Sequence, residues 1–174
     1  MATFVSQPRW LVKVGSGLKS AADLKGKTIV VTQGSNAIGF AQTVNAKEQL
    51  GFSIVQAKDH AESFLMLTTG RAAAFMEDNI ILAGLKAESP SPSAFTFLPE
   101  AYAKIYYGLM FTKGDAGFKT LVDDVLSKQM ALGEFEKTYA KWFTNPIPPK
   151  GENLEFPLSD ALKERIAHPS DAVD

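Results

Sequence analysis

Gly26-Lys-Thr-Ile-Val-Val-Thr-Gln-Gly-Ser-Asn36 decides how the chain is read. Residues 28–32 form a short β-branched run, bounded by Gly-Lys before it and Gly34 after it, which predicts a buried strand. From Asn36 to Leu50, apolar residues fall at Ala37, Phe40, Ala41, Val44 and Leu50, close to helical spacing. Strand, polar loop and helix follow without a gap. Ser35 and Asn36 are both good N-cap residues, and Gly34 frees the turn. A helix start facing out of a sheet edge presents unpaired N–H groups and partial positive charge. It suits a carboxylate or a phosphate. The plainer alternative is that Ser35 only caps a helix.

Outward from this stretch the same unit repeats. Residues 53–57 predict a strand. Asp59-His-Ala-Glu62 then has the spacing of a capping box, with Asp59 as the cap and Glu62 three residues on. Phe64, Leu65 and Leu67 give that helix its apolar side, and Gly70 stops it. Residues 73–76 read as a buried strand, followed by Asp78, Asn79, a helix over 80–87, a Ser-Pro loop and a strand over 95–98. This alternation predicts an α/β fold with a mostly parallel sheet and helices on both faces. Upstream, residues 3–5 and 9–14 read as strands broken at Pro8, and residues 20–24 as one helical turn. Gly51 is placed to end the first long helix. Downstream, residues 105–112 predict a strand. Phe118, Leu121, Val122, Val125 and Leu126 form a helical stripe capped near Asp115, and Phe135, Tyr139, Trp142 and Phe143 form a second. A last helix covers 159–167. The expected organisation is a lead-in strand over 1–14, a complete α/β lobe over 15–104, a return strand over 105–112, and helices over 113–174 that need a sheet to cover.

Composition narrows the function. The chain has 174 residues, 45% of them hydrophobic, and 18 basic against 19 acidic groups for a net charge of −1. No basic excess points to nucleic acid or an anionic membrane. There is no cysteine, which removes disulfides, zinc–thiolate sites and cysteine nucleophiles. No apolar run approaches the roughly 20 residues of a membrane span. Residues 1–8 lack the basic start and apolar core of a signal peptide. The phosphate-loop lysine motif, the dinucleotide glycine pattern and the serine elbow are missing from the sequence, so no cofactor is implied. His60 and His168 are the two histidines, and neither has a credible Ser or Cys partner in sequence.

Three strand-to-helix junctions carry polar groups: Ser35 with Asn36, His60, and Asp78. In an open parallel sheet the carboxyl ends of strands share one edge, and ligands collect there. The set suits a zwitterion. Ser35 and the helix start would take a carboxylate, Asp78 an ammonium, and His60 a further carboxylate. Taken singly, each is better read structurally: Ser35 and Asp78 as ordinary helix caps, and His60 as a residue one past a good cap.

The chain resembles the periplasmic substrate-binding proteins of polar amino-acid ABC transporters, and within them the glutamate/aspartate-binding branch. The resemblance rests on Ala22-Asp-Leu-Lys-Gly-Lys27, Val31-Thr-Gln-Gly-Ser-Asn36, Ala57-Lys-Asp-His-Ala-Glu-Ser-Phe64, Gly70-Arg-Ala-Ala-Ala-Phe-Met-Glu-Asp78 and Lys141-Trp-Phe-Thr-Asn-Pro-Ile-Pro-Pro-Lys150. It implies a type II periplasmic-binding-protein-like fold: one lobe with a parallel-rich sheet and flanking helices, plus the C-terminal helices of an incomplete second lobe. The two lobes would be joined by crossing strands near residues 3–14 and 105–112. It further implies that Ser35 meets the ligand α-carboxylate, Asp78 the α-ammonium, and His60 the side-chain carboxylate of an acidic amino acid. Asn36 stands where the family has a second hydroxyl residue.

The implied partner is a membrane ABC permease, and the implied location the periplasm. The part of the first lobe that the family builds before its first crossing strand, with its carboxylate-clamping arginine, is not in this sequence. Weak binding by this chain alone is therefore the expectation, and exposed stripes over 113–174 would favour association. The alternative function is a non-transporting homodimer formed through the C-terminal helices. A ligand-sensing regulator would need a helix-turn-helix that the sequence lacks. An enzyme of the same fold would take its acid–base groups from the absent lobe.

Overall fold

The computed structural model describes residues 1–149 and 151–173. The expected helical part over 113–174, and the last residue of the Lys141–Lys150 segment, thus include two positions, Lys150 and Asp174, outside the described residues. The chain divides into two compact units: Gln7–Ala103, and Met1–Ser6 together with Lys104–Asp174.

The Gln7–Ala103 unit is built on five strands: β2 (Pro8–Lys13), β3 (Thr28–Thr32), β4 (Ser53–Ala57), β5 (Ala74–Asp78) and β6 (Phe95–Ala101), the other unit holding β1 (Ala2–Ser6). Their order across the sheet is β4-β3-β5-β2-β6. β3 runs parallel to β4 and β5, while β2 lies between β5 and β6, antiparallel to both. Four strands thus share one direction. The β-branched run predicted over 28–32 is β3, with Ile29, Val30 and Val31 fully buried.

Alternation sorts the core into two layers. Trp10, Val12, Ile29, Val31, Ala74 and Met76 face α1 (Ala37–Glu48). Leu11, Val30 and Phe75 face Met66 and Leu67 of α2 (His60–Thr68) and Leu82 of α3 (Asn79–Glu88).

Three expectations change. Residues 9–14 were expected outside the lobe, as part of a crossing segment. The structure makes residues 8–13 strand β2 of that sheet, with Val14 beyond its end, because Trp10 and Val12 fill one apolar layer and Leu11 the other. Pro8 therefore opens the strand opposite Asp78. α1 ends earlier than Gly51 implies. Gln49 takes the left-handed position at φ 52°. The Asn45 side chain both donates to the Phe52 carbonyl, at 2.9 Å, and accepts from its N–H, at 3.1 Å. β5 runs on past Met76, so Glu77 and Asp78 belong to the strand.

In the other unit, β1 pairs antiparallel with β7 (Ile105–Gly108). The strand expected over 105–112 thus stops at Gly108. Helices follow at α4 (Ala116–Ala131), α5 (Glu134–Phe143) and α6 (Asp160–Ala167). Asp115 caps α4, accepting from the Phe118 N–H at 2.9 Å. Phe4 stacks among Tyr139, Phe143 and Phe156, so two aromatics of the second predicted stripe enter this unit's core. Phe118, Leu121 and Val125 of the first stripe are 46%, 58% and 46% exposed.

Candidate functional site

The carboxyl ends of β3, β4 and β5 lie side by side on one edge of the Gln7–Ala103 sheet, and Ser35, His60 and Asp78 all follow or close these strands. The Gln33 N–H donates to the Ala57 carbonyl at 2.8 Å, tying the loop after β3 to the end of β4.

Ser35 does not cap α1. Its backbone N–H closes a turn on the Thr32 carbonyl at 3.2 Å. Its hydroxyl oxygen is buried and lacks a hydrogen bond of normal geometry. It lies close enough to Glu77 to favour that carboxylate. Asn36 holds the N-cap position in the right-handed helical region, with no side-chain cap bond. A capping side chain reaches the first-turn N–H groups from extended backbone, and Asn36 has already entered the helix. Asn36 is exposed. The first turn of α1 therefore carries no side-chain cap.

His60 opens α2. Asp59 accepts from the Glu62 N–H at 2.8 Å, as the sequence spacing predicts. The return bond departs from the pattern: the Glu62 carboxylate accepts from Lys58, at 3.0 Å, rather than from the cap residue's own N–H. His60 Nδ1 is 2.8 Å from Thr32 Oγ1 and 3.7 Å from Glu77 Oε2. The imidazole is 40% exposed and the Glu77 side chain 4%.

Asp78 ends β5 with 7% of its surface exposed. It too lacks a side-chain cap bond, here to α3. Alternation places it on the α1 side of the sheet, one residue beyond Glu77, and its charge acts on Glu77.

Glu77, Thr32 and Ser63 were not among the sequence-predicted site residues, yet Glu77 lies between those that were. Burial pushes its carboxyl above the ordinary 4.5, against the Asp78 N–H, Ser35 and His60, which favour the ionised form. The Asp78 N–H donates to Glu77 Oε1 at 3.1 Å. The available signal was alternation. Thr32 follows Val30, and Glu77 follows Phe75, on the layer that α2 covers. Two polar residues thus extend an apolar face beyond its end, under the first turn of α2. Thr32 and Ser63 are buried, their hydroxyl oxygens 2.9 Å apart.

Three relatives match most of the chain. An L-glutamate/L-aspartate-binding protein of Pseudomonas aeruginosa is 45% identical over 163 residues, covering 94% of this chain and 54% of the relative. Glutamate/aspartate import solute-binding proteins of Salmonella typhimurium and Escherichia coli are 41% and 40% identical, each over 97% of this chain and 56% of the relative. The chain is similar in sequence to these glutamate/aspartate-binding proteins. It spans about half the length of the relatives it matches.

Among solved structures, a periplasmic binding protein of Brucella ovis with glutathione bound superposes with a TM-score of 0.70 at 21% identity. That match covers 76% of this chain and 43% of the other. An ancestral arginine-binding protein bound to glutamine gives 0.65 at 26% identity, over 82% of this chain and 62% of the other. No protein-family model matches. The fold is α/β and type II periplasmic-binding-protein-like, as the resemblance implies.

Proposed function

We propose that this chain is part of a solute-binding component for import of an acidic L-amino acid, glutamate or aspartate. The similarity to proteins named for glutamate/aspartate binding, at 40–45% identity along nearly the whole chain, carries the reading. The polar rim is compatible with it. Ser35 and the uncapped first turn of α1 take the α-carboxylate. Asp78 takes the α-ammonium, and His60 the side-chain carboxylate. Asn36 is a peripheral contact, exposed beside Ser35. The role is binding rather than catalysis, in line with relatives named as solute-binding proteins.

The partner of the whole protein is a membrane ABC permease and its place the periplasm. Relatives named for import support both. The relatives give the homodimer through 113–174 no support.

The test is NMR titration of the chain with glutamate, aspartate, glutamine and arginine, which detects weak binding. Glutamate or aspartate is expected to move the amide signals of Ser35, His60 and Asp78 at lower concentration than arginine does. Asp78→Asn is expected to abolish the response. Shifts elsewhere only, or a preference for arginine, would overturn the assignment.

A further inference from the structure

The hydroxyl pair beneath His60 has a direction. Ser63 Oγ is 3.0 Å from the Asp59 carbonyl, which only accepts, so the Ser63 proton is committed there. Ser63 Oγ therefore accepts from Thr32 Oγ1 at 2.9 Å. The single proton of Thr32 is then spent, and Thr32 Oγ1 can only accept from His60 Nδ1 at 2.8 Å. The Glu77 carboxyl oxygen 3.7 Å from Nδ1 favours a proton on the same nitrogen.

We infer that Thr32 and Ser63 are positioning residues for His60: their hydroxyls form a one-way relay from Nδ1 to the Asp59 carbonyl, leaving Nε2 as the nitrogen offered to a ligand. The inference builds on the binding role proposed for His60. A neutral imidazole so held is an acceptor at Nε2. It receives the N–H of an amide side chain directly. A carboxylate side chain has no proton to offer, so Nε2 must first be protonated. Capture of glutamate or aspartate by His60 then takes up a proton from solution, which lands on Nε2, while capture of glutamine does not. Thr32 from β3 and Glu77 from β5 meet the ring at Nδ1; Asp59 and Glu62 belong to the start of its own helix, and Asp78 follows Glu77 at the end of β5.

Long-range proton–nitrogen NMR on the full chain reads the tautomer without any ligand. H168Q leaves His60 as the single imidazole, so its signals are assigned directly. In its neutral form His60 is expected to carry its proton on Nδ1, and Thr32→Ser is expected to preserve this. Thr32→Val removes the acceptor, and Ser63→Ala frees the Thr32 proton to turn toward Nδ1. Each is expected to move the proton to Nε2. An Nε2-protonated ring in the parent chain, or an Nδ1-protonated ring in both variants, would overturn the relay.

Calorimetry in buffers of different ionisation enthalpy reads the second part. Up to one proton is expected to be taken up with glutamate and none with glutamine. Equal uptake would refute the coupling. A chain that binds neither ligand would refute the binding role and leave the tautomer result standing.

Discussion

Asp59, which caps the helix that His60 opens, and Glu77, 3.7 Å from the His60 Nδ1, make different claims on stability. Asp59 accepts from the Glu62 N–H at the start of α2. Asp59→Ala is expected to cost about 1 kcal/mol in chemical denaturation, as the loss of a helix cap does. Glu77 behaves in the opposite sense to a paired surface carboxylate. Burial raises its folded-state value above 4.5, so the folded chain holds the proton where the unfolded chain has released it. Its contribution to stability is present below the unfolded value and is lost as pH rises through the folded one. Glu77→Gln cannot ionise. Its stability relative to the parent chain is expected to improve from acidic to neutral pH. Parallel pH-dependent denaturation checks this, and a difference that stays flat would show that Glu77 is not destabilised by burial.

At the scale of elements, β2 shows how a strand that opens on a proline and ends on a lysine can lie inside a sheet. Its middle residues Trp10, Leu11 and Val12 are fully buried, and alternation divides them between both apolar layers. Trp10 lies edge-on to Phe52 and donates its indole N–H to the Tyr102 hydroxyl at 2.8 Å. Tyr102→Phe leaves that buried N–H without its acceptor. It is expected to cost about 1–3 kcal/mol by denaturation, with a change in Trp10 fluorescence. On the opposite layer Phe75 is wholly buried between β3, α2 and α3. Phe75→Ala opens a cavity, and the expected loss is about 3–5 kcal/mol. A much smaller loss would mean that α2 closes down on the gap.

For the whole molecule, the two units differ in how their elements are covered. β3 and β5 are enclosed by apolar layers on both faces. In α4, Met130 is the one residue counted as buried. Opening a helix with so little buried surface costs less than opening a central strand. Native-state amide exchange is therefore expected to be slowest in β3 and β5 and clearly faster along α4. Equal protection would mean that Phe118, Leu121 and Val125 are covered in solution.

The local order of strands and helices from residue 28 to 98 is legible because each element declares itself by short-range physics: a β-branched run, a helical apolar period, a cap spacing. The same holds for Asp59 and Asp115, whose capping acts over three residues. A shared rim for His60 and Asp78 follows from a rule about strand ends alone, without any contact. What sequence could not reach depends on which segments become neighbours. The assignment of residues 8–13 to the sheet needs β5 and β6 to be present on either side. The failure of Ser35 and Asn36 to cap depends on the loop closing on Thr32 and on a carboxylate, Glu77, brought up by another strand. The relay from His60 to Thr32 and Ser63 spans two elements nearly thirty residues apart. Its direction follows from a backbone carbonyl that only the fold sets in place.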